Sequence, residues 1–500
     1  MNASDYLIEG KAGASAALLT LQGEYTYATL ASDVQEVVRK VVALGGRRGD
    51  RALLVADSGP FWVAAYLGIL RAGLVCVPLP SRIATEDLEY IASATEPSFL
   101  FQEARYRSQV PGAVQGIPTI TDEPSLPLSC RATLSVQSGI ETAVAETASD
   151  ELAALMFTSG STGKPRGVMI SHGNIIANTD AIVQYLSLTA QDRIMAVLPF
   201  HYCFGTSLLH THLRVGGSVV IEPRFMYPEK VLQRLQETGC TGFAGVPSHF
   251  QILLRRSNLA RMSFPNLRYV QQAGGPLAPH FIRELRDALP GKQIFVMYGQ
   301  TEATARLSYL APDRLETKLG SVGKGIPGVE LSVLNDAGDT VCPGETGEIV
   351  AQGANIALGY WQDEEETARC FRHGKLYTGD LATVDEDGFI FIVDRAKDFL
   401  KCGGKRVSCR HLENVLLENQ ELLEAAVVGV PDEILGEAAI AYVVPRDHRQ
   451  QPSAEQLSSY CRQRMPLPLV PKRFVVLQSL PKNSSGKVLK PVLRAQAVAQ

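Results

Sequence analysis

Short apolar runs alternate along most of the chain with longer stretches in which apolar residues recur at helical spacing. Arg51 to Val55, Leu74 to Pro78, Ile194 to Leu198, Ser218 to Ile221, Arg268 to Gln272 and Gln293 to Met297 have the length and β-branched character of buried strands. Tyr27 to Leu44, Phe61 to Arg71, Pro228 to Glu237 and Pro279 to Ala288 carry the helical pattern between them. Such alternation predicts an α/β architecture with largely parallel sheets. The most apolar long stretch, Phe61 to Pro80, is interrupted by Arg71, Gly73 and Pro78. It reads as a buried helix running into a buried strand, not as a membrane span.

The pattern changes near Gly328. From there to Val393 short β-rich runs are separated by turn clusters: Asn335-Asp-Ala-Gly, Pro343-Gly-Glu-Thr-Gly and Asp385-Glu-Asp-Gly. Turn signals this dense predict hairpins in a small β-rich subdomain. Beyond Asp394-Arg395 the pattern changes again. Val407 to Asn419 reads as a helix, Ala425 to Val430 and Ala438 to Val444 as strands, and a further helix-and-strand pair runs into a polar loop, Pro481 to Lys487. The expected organisation is a large N-terminal domain over 1–394, made of two α/β subdomains plus the β-rich one. A hinge at 395–398 and a small mobile α+β domain over 399–500 follow.

Composition narrows the function without naming it. The 500 residues carry 45% apolar and 20% charged side chains and a formal net charge of -4, ordinary for a globular protein, with no basic face announcing a nucleic-acid partner. The 9 cysteines are scattered without Cys-x-x-Cys spacing, which suits reduced thiols and a cytoplasmic setting. The N-terminus lacks the basic and apolar regions of a secretory signal.

Residues 157 to 167 read Phe-Thr-Ser-Gly-Ser-Thr-Gly-Lys-Pro-Arg-Gly, directly after the strand-like run Leu152 to Phe157. Thr158, Ser159, Gly160, Ser161, Thr162, Gly163 and Lys164 combine hydroxyl donors, glycines that let backbone amides approach, and a cation. Together with Arg166 this is the chemistry of a polyphosphate cradle. It is not a Walker loop. Only two residues separate Gly160 from Gly163 where four are needed, and Pro165 follows Lys164 where Ser or Thr belongs.

This loop resembles the phosphate loop of the adenylate-forming superfamily, which comprises acyl-CoA synthetases, peptide-synthetase adenylation domains and firefly luciferase. Further motifs in the same order extend the resemblance over nearly the whole chain. Tyr298-Gly299-Gln300-Thr301-Glu302 is similar to the second nucleotide motif. There the aromatic lies against adenine, the Thr meets the α-phosphate and the Glu holds magnesium. Gly274 and Gly275 fall in the segment that packs along adenine. Tyr377-Thr378-Gly379-Asp380 resembles the ribose motif. Asp394-Arg395-Ala396-Lys397-Asp398 resembles the hinge, with Arg395 near the ribose and Lys397 as pivot. The resemblance implies that Gly403 and Gly404 lie beside a pantetheine tunnel, and that Lys487 in Pro481 to Lys487 is the catalytic lysine. Cys409 and His411 depart from the family pattern, where proline and glutamate are frequent.

The implied reaction is ATP- and magnesium-dependent activation of a carboxylic acid as acyl-AMP, then transfer to a thiol of coenzyme A or of a carrier protein's phosphopantetheine. Leu198 to Gly205 resembles the acyl-site motif. His201 stands where amino-acid-activating relatives carry Asp, and no acidic residue occurs between Asp192 and Glu222. An unpaired buried ammonium is costly, so a fatty or other hydrophobic acid is expected, with Phe204, Thr206, Phe243, Val246, Pro247 and Leu307 around it. His201 is either a proton-transfer residue or an aromatic plug. Two other readings remain open: a stand-alone enzyme loading an amino or aryl acid onto a carrier protein, and a non-catalytic nucleotide- or acyl-binding regulator.

Overall fold

The computed structural model describes residues 1–109, 114–122, 147–159, 165–395, 399–402, 405–432, 436–447, 449, 451–482 and 488–498. Four sheets form among them. The largest runs in the order Lys324–Gly325, Ser308–Leu310, Gln293–Tyr298, Tyr269–Gln272, Gly242–Gly245, Arg193–Ala196, Ser218–Ile221, Ala16–Leu19, Glu24–Thr26. Its interior pairs are parallel and only its ends are antiparallel. The second large sheet orders Thr119–Thr121, Phe99–Gln102, Arg51–Val55, Val75–Leu79, Leu152–Ser159, Pro165–Ser171. It is parallel until the last pair, which is an antiparallel hairpin.

The expected α/β architecture is therefore present, and the helices read from the pattern sit where expected. Tyr27–Ala43 and Pro60–Arg71 pack on one another, burying Val34, Val37, Val41, Trp62, Tyr66 and Leu67 in a core shared by both large sheets. The apolar stretch from Phe61 is buried protein interior, and no helix among the described residues is long and apolar enough to cross a membrane.

The turn-rich stretch forms an antiparallel sheet of Val329–Leu334, Thr346–Gly353, Lys375–Val384 and Phe371–Arg372, with Ile390–Arg395 alongside. Its core gathers Val333, Ile349, Leu376, Ala382 and Ile390. The fourth sheet holds Phe399–Cys402, Lys405–Ser408, Leu422–Asp432, Gly436–Pro445 and Arg473–Val476. Sheet membership thus changes between Arg395 and Phe399.

Two details differ from the pattern reading. The helix expected from Val407 begins at Cys409, because Lys405–Ser408 pairs as a strand and the Ser408 side chain caps the backbone N–H of His411. A last helix, Lys490–Val498, was not anticipated. Its residue Leu493 is buried against the outer face of the fourth sheet, and its carbonyl accepts from the Tyr442 hydroxyl at 3.0 Å.

Candidate active site

The site follows from parallel pairing. Arg193–Ala196, Gly242–Gly245, Tyr269–Gln272 and Gln293–Tyr298 run side by side in one direction, so the segments that leave their carboxyl ends emerge along one edge. Ligand sites of open α/β sheets form at that edge. The chain delivers there the Leu198 to Gly205 motif, Val246-Pro247, Ala273 to Gly275 and Gly299 to Glu302. Gly274 has φ +84°, a left-handed conformation that favours glycine. Gly299 has no alternative either: a Cβ there would lie 2.0 Å from the Ala305 carbonyl oxygen.

On the side of the nucleotide motifs the polar groups are already paired. The Tyr298 hydroxyl donates to Asp380 Oδ2 at 2.6 Å, and both residues are buried. Asp380 is aimed by its own turn, since Gly379 takes φ +72°, its N–H donates to Glu348, and the Asp380 N–H donates to Thr378 Oγ1. Thr301 Oγ1 lies 3.4 Å from Cys203 Sγ at the start of the helix Cys203–Val215. The Glu302 carboxylate accepts from the Tyr360 hydroxyl at 2.8 Å. Burial and that carboxylate push the Tyr360 phenol well above its ordinary range, so it remains a donor.

Tyr360 has no local motif and pattern reading missed it. It arrives because the segment 358–361 runs along the strand Pro165–Ser171: Met169 N–H donates to the Gly359 carbonyl, and Trp361 N–H to that of Gly167. The same segment holds Arg166. Its Nη1 is 2.6 Å from Glu366 Oε1 and its Nε 3.2 Å from Asp363 Oδ2. The loop cation expected to offset phosphate charge is therefore neutralised by protein carboxylates, and it braces the base of the loop.

Three buried asparagines stitch these pieces together. Asn174 Nδ2 donates to the carbonyls of Ala354 and Ile356, Asn178 Nδ2 to that of Arg306, and Asn355 Nδ2 to those of Ala303 and Arg306. The turn 299–306 is thereby fixed to the helix His172–Leu186 and to the segment that carries Tyr360.

The acyl-motif side is different. The His201 ring lies 4.3 Å from that of Tyr202 at a tilt of 48°, its Nε2 is buried without a partner among the described residues, and burial lowers its pKa to about 4. It is a neutral imidazole near pH 7. Phe204 and Val246 share one core, as a pocket wall requires. Thr206 instead turns its hydroxyl back to the carbonyls of Phe200 and Tyr202, and Phe243 packs edge-on to Phe250 in another core. Leu307 packs with Tyr298 and Ala303 toward the small antiparallel sheet. Its neighbour Arg306 points the other way, with its guanidinium 4.1 Å above the Phe204 ring. Adjacent residues in extended chain face opposite sides; the pattern reading picked Leu307 and missed Arg306.

Residues 160–164, Lys397, Gly403, Gly404 and Lys487 fall outside the described residues, while Ser159 and Arg395 are described in backbone alone. Thr158 is the last residue but one of the strand Leu152–Ser159, paired with Arg166. Near the hinge segment, Asp394 accepts from the Ser408 hydroxyl at 2.8 Å and from the Arg410 N–H at 3.2 Å, joining the third sheet to the helix Cys409–Leu417.

The comparisons agree with this geometry. The profile of the AMP-binding enzyme family matches residues 10–361, and that of the AMP-binding enzyme C-terminal domain matches 411–487. The chain is 31% identical to the medium-chain fatty-acid–CoA ligase of Escherichia coli (strain K12), over 94% of this chain and 85% of that protein. It is 30% identical to a feruloyl-CoA synthase of Amycolatopsis sp, over 94% of this chain and 93% of the relative. The o-succinylbenzoate coenzyme A synthetase of Bacillus subtilis, solved in complex with ATP and magnesium ion, superimposes with a TM-score of 0.85 at 28% identity, covering 99% of this chain and 98% of that one. The resemblance read from the motifs thus holds over both matched regions, and the chain belongs to the AMP-binding, adenylate-forming enzyme family.

Proposed function

We propose that the protein is an AMP-forming acid–thiol ligase that joins a carboxylic acid to ATP as acyl-AMP and then passes the acyl group to coenzyme A. The observation that carries this reading is the pair of hydrogen bonds, Tyr298 to Asp380 in the interior and Tyr360 to Glu302 half-buried, flanking Thr301 beyond the end of a parallel strand. One carboxylate is set for a ribose diol and the other for a cation beside phosphate.

A single acidic residue fits magnesium, which takes one or two carboxylates and completes its shell with phosphate oxygens and water. Among the described residues no cluster of three or more acidic, His or Cys side chains offers a rival metal cage. Glu302 would hold the ion, and the ion would offset phosphate charge.

The chemistry needs no side-chain nucleophile. The substrate carboxylate attacks the α-phosphorus, pyrophosphate leaves, and a thiol later attacks the acyl carbon and expels AMP. Two unit charges about 4 Å apart repel by roughly 4 kcal/mol at an effective dielectric near 20, so cations must converge on the approach. We assign that task to Lys164 and Lys487, with Thr301 donating to the α-phosphate. His201, neutral and with its Nε2 unpartnered among the described residues, serves as an aromatic plug beside the acid. Residues 1–394 form the adenylating body, and 399–500 a lid that pivots at Lys397 between the step needing Lys487 and the step needing Gly403 and Gly404. Arg395 faces the ribose in the first of these.

The acid has an apolar body, since Phe204 and Val246 wall the site, and an α-ammonium would find no carboxylate at position 201. The acceptor is coenzyme A, as the names of the relatives suggest, in preference to a carrier protein. The described cysteines are free thiols, in keeping with a cytoplasmic setting. The test is pyrophosphate exchange across an acid panel, followed by AMP release with coenzyme A against holo-carrier protein. Exchange with no acid overturns the adenylation; turnover with carrier protein alone overturns the acceptor.

A further inference from the structure

Arg306 is 1% exposed, among the largest fully buried side chains of the molecule. Among the described residues no carboxylate lies within ion-pair distance of it. Its Nε has no hydrogen-bond partner, its Nη2 reaches Gln271 Oε1 only at 3.5 Å, and the Gln271 amide nitrogen is itself unpartnered. The other compensation is neutral: the Tyr185 hydroxyl lies beside the guanidinium, and the Phe204 ring is 4.1 Å below it. A cation–π contact supplies only part of what a buried charge loses on leaving water.

The charge is also held in place. The Arg306 carbonyl accepts from Asn178 at 3.2 Å and from Asn355 at 2.8 Å, so the backbone cannot drift to let the side chain reach solvent. The location is specific. Thr301 touches Cys203, and Arg306 lies over Phe204, the next residue of the same helix. The guanidinium also lies close enough to Cys203, the residue that Thr301 touches, to act on its thiol.

We propose that Arg306 determines specificity by selecting acids whose short apolar body ends in a second carboxylate. This rests on the adenylating reading above and narrows its substrate class. The distal carboxylate pairs with the guanidinium, with the Gln271 amide as second donor. A fork of N–H donors matches a carboxylate in geometry as well as charge. An uncharged tail leaves the buried cation unpaired, and a site built for a polar partner rejects analogues that lack it.

The experiment measures pyrophosphate exchange with the full-length protein on length-matched pairs: a straight-chain monoacid, the corresponding α,ω-diacid, and the diacid's monomethyl ester. The same series is run on an aryl scaffold. The wild type is expected to prefer diacid over both partners by roughly tenfold or more in kcat/KM, mainly through KM. Arg306→Met should invert the preference, and Arg306→Lys should retain part of it. Equal use of diacid and methyl ester by the wild type overturns the proposal without any variant. An Arg306→Met protein that loses activity on both acids equally, with a lowered melting temperature, assigns Arg306 a structural role and overturns it too. Exchange with monoacids alone refutes this inference and leaves the adenylating function standing, whereas exchange with no acid refutes both.

Discussion

The two halves of the site differ in how their polar atoms are satisfied. On the nucleotide side Tyr298 is bonded to Asp380 and Tyr360 to Glu302, and the carboxylates are oriented by protein alone. On the acyl side His201 Nε2, Gln271 Nε2 and Arg306 Nε are buried without partners among the described residues. Gln300 Nε2, at the seam between them, shares that state. Buried polar atoms are nearly always paired, and each exception asks for a reason. On the proposed function, the difference teaches that one half is preformed for the constant reactant, while the other is left to be completed by the variable one.

The sharpest way to break the comparison is to remove the cation proposed to serve both halves at the moment of reaction. Lys487→Ala should lower pyrophosphate exchange by roughly 10²–10³, the scale for losing one preorganised charge-stabilising donor. Transfer from supplied acyl-AMP to coenzyme A should be nearly unchanged. Equal loss of both steps would contradict the lid alternation and leave the two halves with one shared geometry throughout the cycle.

Next in size is the seam. Asn355 donates to the Ala303 and Arg306 carbonyls, one beside Glu302 and the other on the acyl-side cation. Asn355→Ala removes one of two donors from each carbonyl, since Ala305 N–H still reaches Ala303 and Asn178 still reaches Arg306, and should cost about 1–2 kcal/mol of stability, read from the denaturant midpoint. Apparent affinity for ATP and for the acid should fall together. A loss confined to one substrate would show that the halves are independent and that the asparagine serves only its nearer neighbour.

Acid should act through the buried histidines, two of which sit on the acyl-side helix. The helix Cys203–Val215 carries His210, bonded to the Tyr66 hydroxyl at 3.0 Å, and His212, bonded to that of Tyr269 at 2.9 Å. Burial lowers them to about 3 and about 4. Their folded pKa values lie below the ordinary 6.5, so between those values the unfolded chain binds protons that the native protein does not. Stability is therefore complete above pH 6.5 and declines as the pH falls toward 4, by about 2 kcal/mol for His212 at pH 5. Denaturant midpoints between pH 7.5 and 5 measure the slope. His212→Gln should lessen it by one histidine's share, the rest coming from His172, His201, His210 and His249, and an unchanged slope would mean that His212 charges without cost.

The contrast also explains what could be read from the sequence. The alternating α/β pattern, the turn-rich sheet and the nucleotide motifs were legible because each depends on neighbours in sequence: Gly299 on the turn that brings Ala305 against it, Asp380 on Gly379 and Thr378. Tyr360 was not legible, since its partner lies 58 positions away and is reached by a segment laid along another strand. Arg306 was hidden differently. Its motif was recognised, but which of two adjacent residues faces the acid depends on the orientation of a short extended segment, and an apolar residue was the natural choice. The same limit applies to Phe243 and Thr206, expected around the acid, which turn toward another core and toward backbone carbonyls. The helix Lys490–Val498 escaped because its buried face is little more than Leu493 and Ala497.

The smallest expected effect tests whether preorganisation on the nucleotide side matters at all. Tyr360→Phe keeps the ring, which packs edge-on to Phe371 at 5.6 Å, and deletes only the hydroxyl that donates to Glu302. One hydrogen bond to a charged group contributes about 1.5–3 kcal/mol when buried and less at a half-open site. Outer partners of a metal-binding carboxylate typically change metal affinity by roughly tenfold or more. The magnesium concentration for half-maximal pyrophosphate exchange should rise by about tenfold, while KM for the acid stays constant and the melting temperature moves little. If the magnesium requirement is unchanged, Glu302 needs no aiming, and the nucleotide side is paired for stability alone. If KM for the acid rises with it, the two sides are not separable at Glu302, and the unpaired atoms around Arg306 belong to one continuous site instead of a second, adaptable one.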